Sequence, residues 1–436
     1  MGNQEKSYRI GLFGHYGQNN LGDEAVILST VQNLRDRFPH IELVGFSMNP
    51  IDTHERYNIK SFPVRCNYDN HTEPKSRAST TNSKEKESGL SRLNKYIKNL
   101  IPRKTKLTII GFFGLLRHLR SEIHFLSEVK KQLKDIDTLI ICGSGQFEDF
   151  AGPWGYPYTI LKWVMLAKAA DAKVFIVSIG AGPPTHSLSY WMYKKILTRA
   201  DYVSYRDQWS KQVIESRLSE TKGFVYPDLA HSLKINPDHK NGQKVRKTLA
   251  INPMPAFDKI LMKGGKQTKY DAYINNMAEL ILHALNKGFS INLFNSHTSD
   301  LHVIDVLKRK TGELFNGNLD DVKVISNETV QDLMGTISEA DLVVATRFHS
   351  TTLPLLLGKP VIGLCYHTKS KEILKNVGLG DYYVDIYEFT GQELCQKFDL
   401  LCSDMKNVTE ELKFKYGSYQ KSINEQWDRL ADMIRN

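Results

Sequence analysis

What the chain has little of limits it first. Five cysteines (Cys66, Cys142, Cys365, Cys395, Cys402) stand among 436 residues, with no C-x-x-C spacing. So sparse and odd a set argues against a disulfide framework and a structural zinc site, and it fits a reducing, cytoplasmic compartment. No apolar run approaches the roughly 18 residues of a membrane span, and the opening "MGNQEKSYRIGLFG" is polar and unlike a signal peptide. H-E-x-x-H, the P-loop pattern and G-x-S-x-G are missing, which leaves zinc-protease, P-loop and hydrolase-elbow chemistry without support. The D-x-D at Asp135 to Asp137 enters a strand, the wrong end for a ligand site in a parallel sheet. No metal is expected.

What is present begins with charge. The formal net charge is +10. Lys75 to Lys106 holds ten Lys or Arg against Glu85 and Glu87, so this one segment carries +8 of the excess. It is rich in Ser, Thr and Asn as well, and residues 68–106 read as a basic mobile insertion. The apolar run "LTIIGFFGLL" follows, flanked by basic residues. It reads as a core helix or as an interfacial helix on an anionic membrane, and on the second reading residues 75–120 form the membrane contact, at the inner face. With Tyr96 as its sole aromatic, the basic segment is a poor single-strand nucleic-acid binder, and no nucleic-acid partner is expected.

Elsewhere the pattern alternates strand and helix. "YRIGLFGHYGQNNLGDEAVILSTVQNL" reads as strand, Gly-rich turn and helix, and "IELVGFSM" as a second strand. The rhythm resumes at "DTLIICGSGQFEDF" and begins again near Lys247, with Gly288 ending one helix. The expected fold is α/β, two doubly wound Rossmann-like domains facing a cleft: residues 1–240, then 241–400, then a helical tail over 401–436. Ligands in such sheets sit beyond the strand ends, so the post-strand loops are where chemistry is sought.

Those loops carry it. "GHYGQNNLGDEA" offers Asn19, Asn20, Asp23 and Glu24 at a helix start, suited to an anion or sugar, or equally to a capped turn. It is not G-x-G-x-x-G. "CGSGQFEDF" offers Gln146, Glu148 and Asp149, which suit sugar hydroxyls, or a tight turn. "SYRDQWS" places Arg206 at a strand end, either in a local pair with Asp207 or as a carboxylate anchor. In "VVATRFHSTTLPLLLGKP" the strand runs into Arg347, His349 and Ser350 at the next helix start, a combination fit to hold phosphate or carboxylate. His349 can also move a proton near neutral pH. His367 and Lys369 follow the next strand, on the same edge.

The ordered set "GHYGQNNLGDEA", "CGSGQFED", "SIGAGP", "SYRDQWS", "YPDLAHSL" and "ATRFHSTTLPLLLGKPVIGLCYHTKS" resembles the polysaccharide pyruvyl transferase family, from the first strand to about residue 385. The resemblance implies a GT-B-like fold. It implies transfer of a pyruvyl group from phosphoenolpyruvate to two hydroxyls of one sugar, giving a cyclic ketal in capsule, exopolysaccharide or cell-wall glycan synthesis. Phosphoenolpyruvate is then a co-substrate, and no further cofactor is expected. Arg206, Arg347 and His349 match positions the family uses for the donor, and Phe348 replaces the more usual Met or Leu. The expected donor set is Arg206, Arg347, His349, Ser350 and Lys369, and the acceptor set Asn19, Asn20, Asp23, Gln146, Glu148 and Asp149. The expected catalytic groups are His349, Arg347, Asp23 and Glu24. On this reading the first domain binds the acceptor and the second binds the donor, and docking through residues 75–120 would let the acceptor be lipid-linked.

Two other classes compete. A GT-B-like glycosyltransferase would bind a nucleotide sugar in the C-terminal half. A basic adaptor without catalysis would bind through residues 75–106 alone.

Overall fold

A computed structural model describes residues 7–66, 119–218, 222–234, 246–259, 265–315 and 319–436. The basic segment 75–106 and the apolar run 107–116, on which the membrane expectation rests, lie outside these. Among the described residues no helix is long and apolar enough to cross a membrane.

The first lobe runs β1 (Tyr8–Phe13), α1 (Leu21–Arg37), β2 (Ile41–Ser47), α2 (Pro50–Tyr57), β3 (Lys60–Pro63), α3 (residues 119–133), β4 (Thr138–Cys142), α4 (Tyr156–Ala169), β5 (Lys173–Ile179), α5 (Ser187–Leu197), β6 (Tyr202–Tyr205), α6 (Gln208–Glu215) and β7 (Phe224–Val225). The second runs β8 (Thr248–Asn252), α7 (Gln267–Asn286), β9 (Ser290–Phe294), α8 (Asp300–Leu314), β10 (Val322–Ile325), α9 (Val330–Ser338), β11 (Leu342–Ala345), α10 (Phe348–Leu356), β12 (Val361–Cys365), α11 (Thr368–Asn376), β13 (Tyr383–Asp385) and α12 (Gly391–Arg435).

Both sheets are parallel and wound alike. Their strand orders are β3-β2-β1-β4-β5-β6-β7 and β10-β9-β8-β11-β12-β13. The strands read as unbroken apolar runs because helices cover both faces: "TLIIC" and "VIGLC" are buried at every position. Gly288, at φ +81°, ends α7 in the left-handed conformation open to glycine. Each sheet reverses direction at a switch point, β1/β4 in one and β8/β11 in the other, and there the loops diverge to leave a crevice.

The lobes are joined as well as apposed. Leu21 N–H donates to the Ser296 carbonyl at 2.9 Å, and Arg56 Nη1 to that of Glu328 at 2.8 Å. Helix α12 spans both. Its Leu394, Phe398 and Leu401 are buried beside the second sheet's helices, while Trp427, fully buried, donates from Nε1 to Ser232 Oγ at 3.0 Å in the first lobe. The C-terminal segment is thus an integral brace, with one apolar core continuous from Ile10 through Leu249 to Trp427.

Candidate active site

The loops after β1, β4 and β6 meet those after β9, β11 and β12 around a cavity of about 340 Å³. Of the residues singled out from the sequence, Asn20, Asp23, Gln146, Glu148, Arg206, Arg347, His349 and Lys369 all line it. Chain order separates some of them by more than 300 residues. The two switch points bring them together.

Arg347 is aimed by a carboxylate that the sequence reading gave no role. Asp300, fully buried at the start of α8, accepts from Arg347 Nε at 2.8 Å and from Nη2 at 2.6 Å. Ser299 Oγ takes a further bond from Nη2 at 3.0 Å. Asp300 itself is fixed by the N–H groups of Ser296 and His297. A two-point grip of this kind sets the plane of the guanidinium and keeps the cation where it is needed. Helix α10 starts immediately after Arg347 with no side chain capping it, and α11 starts after His367 in the same way. Two helix N-termini with uncapped N–H groups therefore border one cavity.

Arg206, Asp228 and His349 form the second cluster. Arg206 Nη1 donates to Asp228 Oδ2 at 3.3 Å, and its guanidinium lies 4.0 Å above the Phe348 ring. Gly180 has no β-carbon, and one there would meet the same guanidinium at 2.6 Å. Arg206 Nε is buried without a hydrogen-bond partner, with Asp207 at 3.5 Å. His349 Nε2 stands 3.8 Å from Asp228 Oδ2, an ion-pair distance too long for a hydrogen bond, and is likewise unpartnered. Burial by itself would raise the Asp228 pKa. His349, Arg206 and the Ala230 N–H outweigh burial and hold the carboxyl well below the usual carboxylate range. Asp228 is thus an anion positioned between two cationic or protonatable groups.

Glu148 and Lys369 pair directly across the cleft, first lobe to second. Burial lowers the Lys369 amine to about 8. Asp23 faces the cavity, accepting from Ser144 Oγ at 2.7 Å and from Asn20 Nδ2 at 2.7 Å. Gln146 donates from Nε2 to the carbonyls of Cys142 and Gly143, so its Oε1 is the atom turned to His15 Nδ1 at 3.2 Å. That geometry places the proton of His15 on Nδ1 and leaves Nε2, buried and unpartnered, as an acceptor. Burial, with Arg65 nearby, lowers His15 to about 3, so the ring is neutral.

Four expected site residues do not line the cavity. Glu24 points beneath the loop, where it accepts from Gly17 N–H at 2.7 Å and from the Tyr57 hydroxyl. It holds the Gly-rich turn. Asn19 is exposed, in a left-handed turn at φ 57°, near Arg56. Asp149 is buried under the 183–186 loop, taking bonds from the N–H groups of Thr185 and His186. Ser350 is buried behind the wall, with its Oγ donating to Ser296 Oγ at 2.8 Å. Conversely, His15, Ser144, Tyr156, Ser296 and Tyr366 line the cavity and had no assigned role.

The polysaccharide pyruvyl transferase family pattern matches residues 20–368, which include every cavity residue above except His15 and Lys369. The chain belongs to the polysaccharide pyruvyl transferase family. The amylovoran biosynthesis protein AmsJ of Erwinia amylovora is 20% identical over 303 residues, which are 66% of this chain and 71% of that protein. Among solved structures, the UDP-GlcNAc 2-epimerase of Neisseria meningitidis, bound to UDP-GlcNAc, superposes with a TM-score of 0.56 at 14% identity, over 96% of this chain and 98% of that one. The epimerase of Methanocaldococcus jannaschii gives 0.54 at 13% identity, over 90% and 92%. The two-lobed GT-B-like architecture is shared. This polysaccharide pyruvyl transferase has its cations matched one by one with carboxylates: Arg347 with Asp300, Arg206 with Asp228, and Lys369 with Glu148. Such a site holds its charges at fixed points rather than presenting a diffuse positive field.

Proposed function

We propose that this family member transfers a pyruvyl group from phosphoenolpyruvate to two hydroxyls of one sugar in a glycan, in exopolysaccharide or capsule synthesis. The observation that carries this reading is the Arg206–Asp228–His349 cluster beside Arg347, at the uncapped start of α10. Phosphoenolpyruvate has a carboxylate and a phosphate a few bonds apart. Two arginines and two helix N-termini offer matching partners for both.

The reaction balances with groups already in the cleft. A hydroxyl oxygen of the sugar bonds to C2 of the donor while the C3 methylene gains a proton and becomes methyl. The C2–O bond to phosphate breaks, and phosphate leaves with its electron pair. A second hydroxyl oxygen closes the ketal, so one hydroxyl proton is balanced by the methyl group and the other by phosphate. His349 delivers the proton to C3, with Asp228 as the counter-charge to its imidazolium. Arg206 and Arg347 anchor the donor, and Lys369 adds charge stabilisation on phosphate departure. Asp23, half-buried and turned to the cavity, accepts the hydroxyl proton of the incoming sugar.

The test is incubation with phosphoenolpyruvate and a panel of glycans, following phosphate release and the mass gain of a pyruvyl ketal. UDP-GlcNAc serves as control ligand in thermal shift, since the Neisseria epimerase of similar fold was solved with it. Stabilisation by UDP-GlcNAc and not by phosphoenolpyruvate overturns the reading.

A further inference from the structure

Behind the cleft lies a second chamber, of about 310 Å³. Arg206, Phe348 and Lys369 line both spaces and form the partition between them. The outer wall of the chamber is α12, through Ser418, Tyr419 and Ser422. Of the residues confined to this chamber, Asp228 alone has a role in the chemistry proposed above, as the counter-charge of His349.

Its chemistry is specific. His231, from the "YPDLAHSL" stretch, is 2% exposed, and both of its ring nitrogens lack a hydrogen-bond partner. Burial, with His349 adding to it and Asp228 opposing it, lowers the ring to about 4. The imidazole is therefore neutral, with one N–H to donate and one lone pair to accept. An unprotonated anion satisfies only the donor, and an ammonium only the lone pair. Hydroxyl groups satisfy both. The charges agree, because Arg206 and Lys369 are offset by Asp207, Asp228 and Glu372 around the same space, leaving no excess for an anion. The Phe348 and Tyr419 rings supply apolar surface, which the C–H face of a sugar ring covers. The volume sits at the lower end of the roughly 300–1,000 Å³ of small-ligand pockets, room for one ring.

We infer that this chamber is a subsite for a neutral sugar ring of the acceptor, the neighbour of the sugar that receives the pyruvyl group. The inference rests on the glycan acceptor of the proposed function, and it adds that the enzyme selects its acceptor by at least one further ring.

The experiment uses the full chain on an array of neutral single hexoses and oligosaccharides, beside a thermal shift with phosphoenolpyruvate. Ser422→Trp fills the chamber from α12 at a residue that does not line the cleft, and Ser422→Ala is the control. The expected result is retention on oligosaccharides over single hexoses, weakened about tenfold or more by Ser422→Trp and unchanged by Ser422→Ala, with the phosphoenolpyruvate shift kept in all three proteins. Three results overturn the subsite: no neutral oligosaccharide retained, single hexoses retained as well as longer chains, or Ser422→Trp without effect. Loss of the phosphoenolpyruvate shift in the wild type strikes the donor reading instead, and the array still decides the chamber.

Discussion

The His349 ring occupies the space that a β-carbon on Gly22 would need. Such an atom would fall inside contact distance of Nδ1, Cβ and Cγ of His349. Gly22 is in the first lobe and His349 in the second, so a missing side chain sets how closely α1 approaches the imidazole to which we assign the proton transfer. Gly22 has no left-handed φ, and the requirement is for room. Gly22→Ala must push the ring or the lobe aside. Overpacking of this kind costs about 1–3 kcal/mol. The expected outcome is a thermal midpoint lowered by that strain and phosphate release reduced by at least tenfold. Wild-type turnover in Gly22→Ala would show that His349 is not held by this contact.

Asp228 separates structural from catalytic loss when two variants are compared. Asp228→Ala leaves the buried Arg206 without its hydrogen-bonded carboxylate partner, and uncompensated buried charges of this sort cost about 3–5 kcal/mol. Asp228→Asn keeps shape and a hydrogen-bonding oxygen while removing the counter-charge of His349. It is expected to retain more stability than the alanine variant and to lose roughly 10²–10⁴-fold in turnover, the usual range for a proton-transfer step. Urea unfolding and phosphate release read the two effects separately. Equal turnover of Asp228→Asn and wild type refutes the proton-transfer role.

The fold was legible because buried parallel strands announce themselves as apolar runs with Gly-rich ends, and the site was legible as loops. What a short window could not give is phase. Asp23 and Glu24 are neighbours, but successive residues on a helix point about 100° apart, so one faces the cavity and the other the turn beneath it. The same phase divides His349 from Ser350 on α10, while Asn19 parts from Asn20, and Glu148 from Asp149, in turns and loops with no helical period. Partners were also hidden. Asp300, first in α8, and Asp228 stand 47 and 22 residues away from the arginines they hold, and neither carries a mark of its pairing. His15 and Asp228 stood inside quoted motifs, but a lone His after a strand, or a lone Asp before a turn, is ordinary until its surroundings are known.

Phe348 shows how a substitution that looks neutral in sequence acquires a task. Met or Leu, the residues the resemblance leads one to expect there, would fill the volume, while Phe348 also puts a ring face under the Arg206 guanidinium at 4.0 Å. A desolvated cation–π contact contributes about 2 kcal/mol and an exposed one about 0.5–1. Phe348→Leu is expected to weaken phosphoenolpyruvate binding several-fold with little loss of turnover at saturation, because Arg206 keeps Asp228. A KM equal to that of wild type would mean the ring only fills space.

If Lys369 meets the donor as proposed, donor binding depends on pH. Its amine is lowered to about 8 by burial, so it is charged below that pH and neutral above. Phosphate groups are fully ionised well below this range, their second pKa being about 6. The KM for phosphoenolpyruvate is therefore expected to rise as pH passes from 7 to 9. Lys369→Arg, which stays charged, should flatten that rise. A wild-type KM that is level across the range removes Lys369 from the donor site.

Acid stability follows from His231 and His15, buried and neutral. Burial lowers the His231 imidazole to about 4 and that of His15 to about 3, from the ordinary 6.5. Between these values and 6.5 the unfolded chain binds protons that the folded chain does not. Stability therefore rises with pH in this window, and falls as pH drops from 6.5 toward 4. A difference of this size at His231 corresponds to on the order of 3 kcal/mol. The Asp228 carboxylate works in the same direction only in stronger acid. Its folded pKa lies below the unfolded value, so its contribution is complete above the ordinary carboxylate range and is lost below it. Urea midpoints for wild type should fall steeply from pH 7 to pH 4. His231→Asn, whatever its stability at pH 7, should show a shallower fall. An identical slope in the two proteins would mean that the imidazole is solvated and protonates freely in the folded state.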